Sequence, residues 1–180
     1  MKTILWATLT ANGNYAQSSP EHPPKPETLA DFAAQASAAG NFIVGRRTFE
    51  GMQQDASRVA QSGQASGENP FANLNIVVLS QTVKDVPGVK VVSTPQEALD
   101  YLQAKGHTTA LLSGGADLHN TFLSQGLVNE AIFNIAPVME GKGYNLLLDQ
   151  EHYQYKDVQL LDCKPLGNGV VQLHYALSHE

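Results

Sequence analysis

The chain has 180 residues, 42% hydrophobic and 16% charged, which fits one globular domain over residues 1–180 rather than a disordered chain. Its 11 basic residues against 17 acidic ones give a net charge of −6, which argues against electrostatic nucleic-acid binding but leaves room for a local basic pocket for an anion. One cysteine, Cys163, excludes a disulfide framework and points to a cytoplasmic, reducing compartment, and the apolar run in MKTILWATLTANG is too short for a signal core or a membrane span.

Thr3–Leu9 is apolar and rich in β-formers and stops at Asn12-Gly13, so it predicts a first strand. Tyr15–Lys25 is polar and proline-rich and reads as a long loop at that strand's end. Glu27–Ala39 carries strong helix formers and closes at Gly40 as a C-cap. Phe42–Val44 is a short strand ending at Gly45, with a brief helix beginning near Thr48. Asp55–Asn73, rich in Ser, Gln, Gly and Asn, reads as a mobile surface excursion.

Asn75–Leu79 predicts a buried strand with Ser80 at its carboxyl end, and Val89–Val92 predicts another. Thr94-Pro95-Gln96-Glu97 is a capping-box start with proline in the first turn, leading a helix to Ala104. Thr109–Leu112 is a strand that delivers Gly114-Gly115, and Asp117–Gln125 is the helix that follows, with Leu118, Phe122 and Leu123 at core spacing. Ala131–Ala136 is a strand ending at Pro137. Val158–Cys163 and Val170–Leu177 form a closing hairpin around Gly167-Asn168-Gly169. The order predicts an α/β open sheet, mostly parallel, with an antiparallel hairpin at its C-terminal edge.

Ligands of such sheets bind outside the carboxyl ends of the strands. Asn12-Gly13, Gly45-Arg46, Ser80, Gly114-Gly115 and Pro137–Gly143 all fall there. The segment LLSGGADL at Leu111–Leu118 is the strongest of them. Bare backbone at Gly114, Gly115 and Ala116, opening a helix through Asp117 and Leu118, is a seat for a phosphate at free helix N–H groups. Arg46 and Arg47 follow a strand end directly and precede Thr48; a guanidinium grips a phosphate bidentately, and a threonine hydroxyl holds a further oxygen. A plain tight turn and a solvated arginine pair are the alternative readings of these two segments. His119 makes no metal-ligand spacing with Asp117 and Glu130, so no metal is expected.

The segment GRRTFE at Gly45–Glu50 resembles the GRxTxE segment of dihydrofolate reductases. LLSGGADLHNTFLSQGLVNEAIFNIAPVMEGKG resembles the double-glycine region of the reductase domain of bacterial riboflavin biosynthesis, the RibD C-terminal family. The resemblance spans Thr3 to Gly143 and implies a dihydrofolate reductase-like three-layer fold and an NADPH-dependent reductase. It implies that Gly45, Arg46, Arg47, Thr48 and Ser80 bind cofactor phosphates and that Gly114 through Leu118 hold the pyrophosphate. It places Trp6 and Ala7 near the nicotinamide, and Asn12 and Tyr15 in the loop bordering the substrate, with Asn12 where the family usually has Asp. Glu27 and Asp31 are the carboxylates nearest to the acid that protonates or orients a pterin, a task suited to a raised pKa.

Two departures stand out. The stretch EGMQQDASRVAQ lacks the acidic, proline-containing segment of 5-amino-6-(5-phosphoribosylamino)uracil reductases, and Ser113 stands where they often place an acidic substrate ligand. The expectation is hydride transfer to a flat, pterin- or pyrimidine-like small molecule, in a homodimer by resemblance. A non-catalytic nucleotide-binding module on the same fold is the alternative.

Overall fold

Alternation along strand β1 (Lys2–Thr10) sends Ile4 and Trp6 to one face of the sheet and Leu5, Ala7 and Leu9 to the other. Each set seeds one of two hydrophobic cores. The computed structural model describes residues 1–61, 69–142 and 153–178. In chain order these form β1, α1 (Pro26–Ala39), β2 (Asn41–Gly45), α2 (Arg46–Gln61), β3 (Asn75–Leu79), β4 (Lys90–Val92), α3 (Pro95–Ala104), β5 (Thr109–Ser113), α4 (Ala116–Ser124), β6 (Glu130–Ala136), β7 (Val158–Gly167) and β8 (Val170–Leu177).

One sheet of eight strands runs β4-β3-β2-β5-β1-β6-β8-β7. Strands β1 to β6 pair in parallel, while β8 pairs antiparallel with both β6 and β7. Right-handed crossovers then dictate the layers. The connections through α1 and α2 step toward β4, and these helices cover the face of Trp6, with Phe32, Ala36 and Phe49 in its core. The connections through α3 and α4 step back toward β6, and they cover the opposite face with Ala98, Leu102, Leu118 and Phe122. The expected three-layer α/β architecture with an antiparallel hairpin is the one observed.

Local chemistry sets the boundaries. Gly40 closes α1 in the left-handed region at φ 71°, its N–H reaching the Ala36 carbonyl. Thr94 caps α3 by accepting from the Glu97 N–H at 3.2 Å, and the Glu97 carboxylate accepts in return from the Ser93 N–H. The closing hairpin turns through Asn168 at φ 49° and Gly169 at φ 82°.

Two expectations around the second helix are corrected. α2 begins at Arg46 and runs 16 residues, not briefly from Thr48, so the first part of Asp55–Asn73 is helical. In the last part Asn69, Pro70, Ala72 and Asn73 are exposed, as a surface excursion requires, while Phe71 turns inward. Phe71 packs its ring against Phe32 and Phe42, each with centroids 5.6 Å away, because the α1–β2 core has room for a third aromatic. Residues 62–68 lie outside the described residues, as does Gly143.

Candidate functional site

The carboxyl ends of β3, β2, β5 and β1 stand side by side, three strand spacings or about 14 Å across. Ser80 ends β3, Gly45 ends β2 and leads straight into Arg46, and Ser113 ends β5 and leads into Gly114-Gly115. The sheet brings these separate sequence segments to one rim.

The two glycines of the pair differ physically. A Cβ at Gly114 would meet Leu118 Cδ2 at 2.9 Å and the Gly45 backbone nitrogen at 3.6 Å, so Gly114 lets β5 and α4 close on β2. A Cβ at Gly115 would meet nothing within 4 Å. Gly115 is the N-cap of α4, in extended conformation and with no side-chain cap hydrogen bond. The helix thus opens on free space at Gly115, and the N–H groups of its first turn, Ala116 to Leu118, lack intrahelical acceptors. Leu118 itself is buried under the turn, and Asp117 is exposed beside it. This donor set and this room fit the phosphate bridge of a dinucleotide.

Arg46 Nη1 bonds the Glu50 carboxylate at 2.9 Å one helical turn away, while Arg47 is exposed and Thr48 half-buried. Ser80 donates its N–H to the Val92 carbonyl at 2.9 Å, and its hydroxyl oxygen accepts from the Val83 N–H at 3.1 Å. Its O–H is a remaining donor at the rim.

At β1 the chemistry changes. Asp31, on α1, accepts from the Trp6 indole N–H at 2.8 Å and from the Asn134 amide at 2.8 Å, both on Oδ2. Gln35 reaches Oδ1 at 3.3 Å, and Gln172 donates to the Asn134 carbonyl oxygen at 2.9 Å. Burial pushes the Asp31 carboxyl up, but the hydrogen bonds from Trp6, Asn134, Gln172 and Gln35 outweigh it and hold the group below the usual aspartate range. These donors are all neutral, so the half-buried carboxylate is an anion without a cationic neighbour among them. Trp6 packs beside it against Phe32, with centroids 5.0 Å apart and ring planes tilted by 45°.

Glu27 sits at the start of α1, where the Asn168 side chain at the hairpin tip donates to it. That bond, with a backbone hydrogen bond in the first helical turn, lowers its pKa. The expected raised carboxyl pKa is thus absent at both Glu27 and Asp31, because hydrogen-bond donors favour the charged form.

The remaining candidates take the following places. Asn12 is a brace: its oxygen accepts from the Thr10 hydroxyl and the Glu140 N–H, and its amide donates to the Glu140 carbonyl at 2.9 Å. Tyr15 is buried in the core of the α3–α4 face, away from Trp6 and Asp31, with its hydroxyl 2.7 Å from His119 Nδ1. Ala7 also points to that face, since it neighbours Trp6 in an alternating strand. Ser113 is buried at the end of β5, paired in register with Trp6.

Asn134 and Gln172 escaped the sequence reading. Their signal is an amide at an inward position of an apolar alternating strand, in AIFNIA and VVQLHYAL, where a hydrocarbon side chain would pack at no desolvation cost.

Among the described residues, no group of three or more metal-ligating side chains occurs, and no helix is long and apolar enough to cross a membrane.

The profile of the RibD C-terminal domain matches residues 7–172. The uncharacterized protein YyaP of Bacillus subtilis (strain 168) is 38% identical over 64 residues, which is 36% of this chain and 33% of that protein, so the match spans about a third of the curated relative. A putative riboflavin biosynthesis protein from Shewanella sp. PV-4 superposes with a TM-score of 0.72 at 18% identity, covering 99% of this chain and 100% of that one. A pyrimidine reductase-like protein from Corynebacterium diphtheriae gives 0.71 at 15% identity, covering 99% and 92%. The dihydrofolate reductase of Enterococcus faecalis, complexed with NADP(H) and RAB-propyl, gives 0.68 at 16% identity, covering 99% and 97%. With the strand order in place, the chain belongs to the RibD C-terminal domain family and carries a dihydrofolate reductase-like, reductase-type fold.

Proposed function

We propose that this single-domain protein is a cytoplasmic NADPH-dependent reductase acting on a flat, pterin- or pyrimidine-like small molecule. The observation that carries the reading is the open seat at Gly115, where uncapped helix N–H groups face space that a side chain would fill. Gly114 and Gly115, with Ala116, Asp117 and Leu118, hold the pyrophosphate through their backbone. Gly45, Arg46, Arg47, Thr48 and Ser80 hold the adenosine-side phosphates along β2 and β3. Arg46 exchanges Glu50 for the 2′-phosphate, a stronger partner for a guanidinium.

The reduced nicotinamide supplies the hydride when bound. The chain's own residues do the rest. Trp6 forms an apolar wall with Phe32, and Asp31 orients the N–H edge of the substrate as a fixed anion. A carboxylate held below its usual pKa is a poor general acid, so the proton that completes reduction comes from solvent through a bound water. The same fact supports the second reading, a nucleotide-binding module without turnover.

A homodimer fits the sheet edge. Among the described residues β7 pairs with β8 alone in the sheet, and Leu160 is 53% exposed and Val158 49% exposed along it. Sedimentation at micromolar concentration tests it. For the main reading, the protein is mixed with NADPH and a panel of pterins, pyrimidines and small carbonyls, and absorbance loss is followed. Turnover supports the reductase; NADPH binding without turnover across the panel supports the module; no NADPH binding rejects both.

A further inference from the structure

The two oxygens of Asp31 are not equivalent. Oδ2 accepts from the Trp6 indole N–H and from the Asn134 amide, both at 2.8 Å, which fills both of its lone pairs. Oδ1 accepts from the Gln35 amide alone, at a long 3.3 Å, and so keeps a lone pair open among the described residues. The amides around the carboxylate are fixed in direction as well. An ionised carboxylate only accepts, so Asn134 and Gln35 both turn their N–H ends toward it. Gln172 locks Asn134 in that sense by donating to its carbonyl oxygen at 2.9 Å.

Gln35 follows Asp31 by one helical turn on the same side of α1, and both side chains are half-buried. One Gln35 N–H engages Oδ1, and the second has no partner among the described residues. The pair therefore offers an open acceptor, Asp31 Oδ1, next to an open donor, Gln35 Nε2, held 3.3 Å apart. This polarity selects one kind of ligand edge: a ring N–H beside a carbonyl oxygen, which is a lactam. A bare ring nitrogen beside an amino group has the reverse pattern. It would turn a lone pair to the carboxylate and an N–H to an N–H, leaving both protein groups unmatched. Trp6 and Phe32 add an apolar wall at the same carboxylate, which suits a flat ring carrying such an edge.

We propose that Gln35 is a specificity-determining residue, and that with Asp31 Oδ1 it reads the lactam edge of the substrate and favours 4-oxo over 4-amino heterocycles of the same ring. The proposal rests on the reading of Asp31 as the group that orients the substrate. Gln35 supplies the discrimination, because Asp31 alone accepts from a ring N–H and an amino group alike.

The test uses Trp6, the only tryptophan in the chain, whose indole N–H is bonded to Asp31. Its indole NMR signal reports a ligand at this carboxylate without any turnover. 2-Amino-4-oxopteridine and 2,4-diaminopteridine share one ring system and differ at this edge. Each is titrated into the full chain near neutral pH, with and without NADP+. Gln35→Met removes the amide while keeping side-chain length and helix propensity. In that variant the preference for the 4-oxo over the 4-amino ligand is expected to fall by about two- to tenfold, the worth of one neutral hydrogen bond. A purely structural role for Gln35 would lower the melting temperature and leave the ratio of the two affinities unchanged. That result, with Trp6 still responding to ligand, overturns the proposal alone. If neither ligand moves the Trp6 signal of the wild type, with or without NADP+, the reading of Asp31 as a substrate group falls and the proposal falls with it.

Discussion

Gly115→Val tests the seat with little collateral damage to the fold. The backbone at Gly115 has a negative φ of −86°, so valine introduces no backbone strain, and its Cβ meets no atom within 4 Å. Valine is a poorer N-cap than glycine, which costs about 1 kcal/mol and lowers the melting temperature by about 2–4 °C in a chain of this size. The effect on binding is far larger. The added methyls occupy the space through which an anion reaches the N–H groups of Ala116–Leu118. Losing two hydrogen bonds to a charged ligand, at about 1.5–3 kcal/mol each, removes about 3–6 kcal/mol. That is a rise in Kd of roughly two to four orders of magnitude. Fluorescence titration with NADPH reads it directly, beside a thermal melt that certifies folding. Gly114→Val is the contrast: its Cβ strikes Leu118 at 2.9 Å, so it is expected to damage the fold itself. A folded Gly115→Val protein that binds NADPH within about threefold of wild type removes the phosphate seat from the account.

Other variants probe the rest of the rim. Arg46→Ala is expected to weaken NADPH by about tenfold or more while leaving NADH nearly unchanged, because only NADPH carries the 2′-phosphate; parallel losses in calorimetry reject the assignment. Glu50→Gln releases Arg46 from its 2.9 Å ion pair, and NADPH affinity is expected to rise by about two- to fivefold, with unchanged affinity showing that the pair does not compete. Asp31→Asn places an amide against the Trp6 and Asn134 donors, so substrate turnover is expected to collapse while NADPH affinity stays within about twofold; retained turnover removes Asp31 from the site. His119 gives a pH signature. Burial holds its folded pKa at about 3 against an ordinary 6.5, so the unfolded chain binds the proton first. Its contribution is full above pH 6.5 and is lost as pH falls toward 3, about 2 kcal/mol by pH 5. Urea midpoints at pH 7 and 5 should converge in the Tyr15→Phe, His119→Leu protein by that amount relative to wild type. Equal acid sensitivity means His119 is not the group responsible.

Elements with local signals were legible from residues alone. Gly40 after a run of helix formers, Thr94 before Pro95 and Glu97, and the Gly167-Asn168-Gly169 turn each state their conformation through backbone freedom or a side chain that reaches its own neighbours. α2 was harder to read. Its polar stretch from Asp55 lacks an apolar period, yet the helix persists as far as Gln61. The rim was half legible, since Gly45 ends its strand, Ser80 and Gly114 follow theirs, and parallel strands put their carboxyl ends on one side.

The linear chain thus specified its strands, its turns and the glycines that open the fourth helix, because periodicity, φ preference and capping act over a few residues. It left open which side chains meet. Asp31 finds its donors 25 and 103 residues away in Trp6 and Asn134, and Tyr15 meets His119 across 104 positions. Those encounters depend on β5 inserting between β1 and β2 and on which sheet face each residue takes. Folding turned a carboxylate expected to hold its proton into a fixed anion, and set the Tyr15 hydroxyl against His119 of the fourth helix. Long-range register, burial and the supply of neutral donors are properties of the assembled sheet, and no short window of sequence carries them.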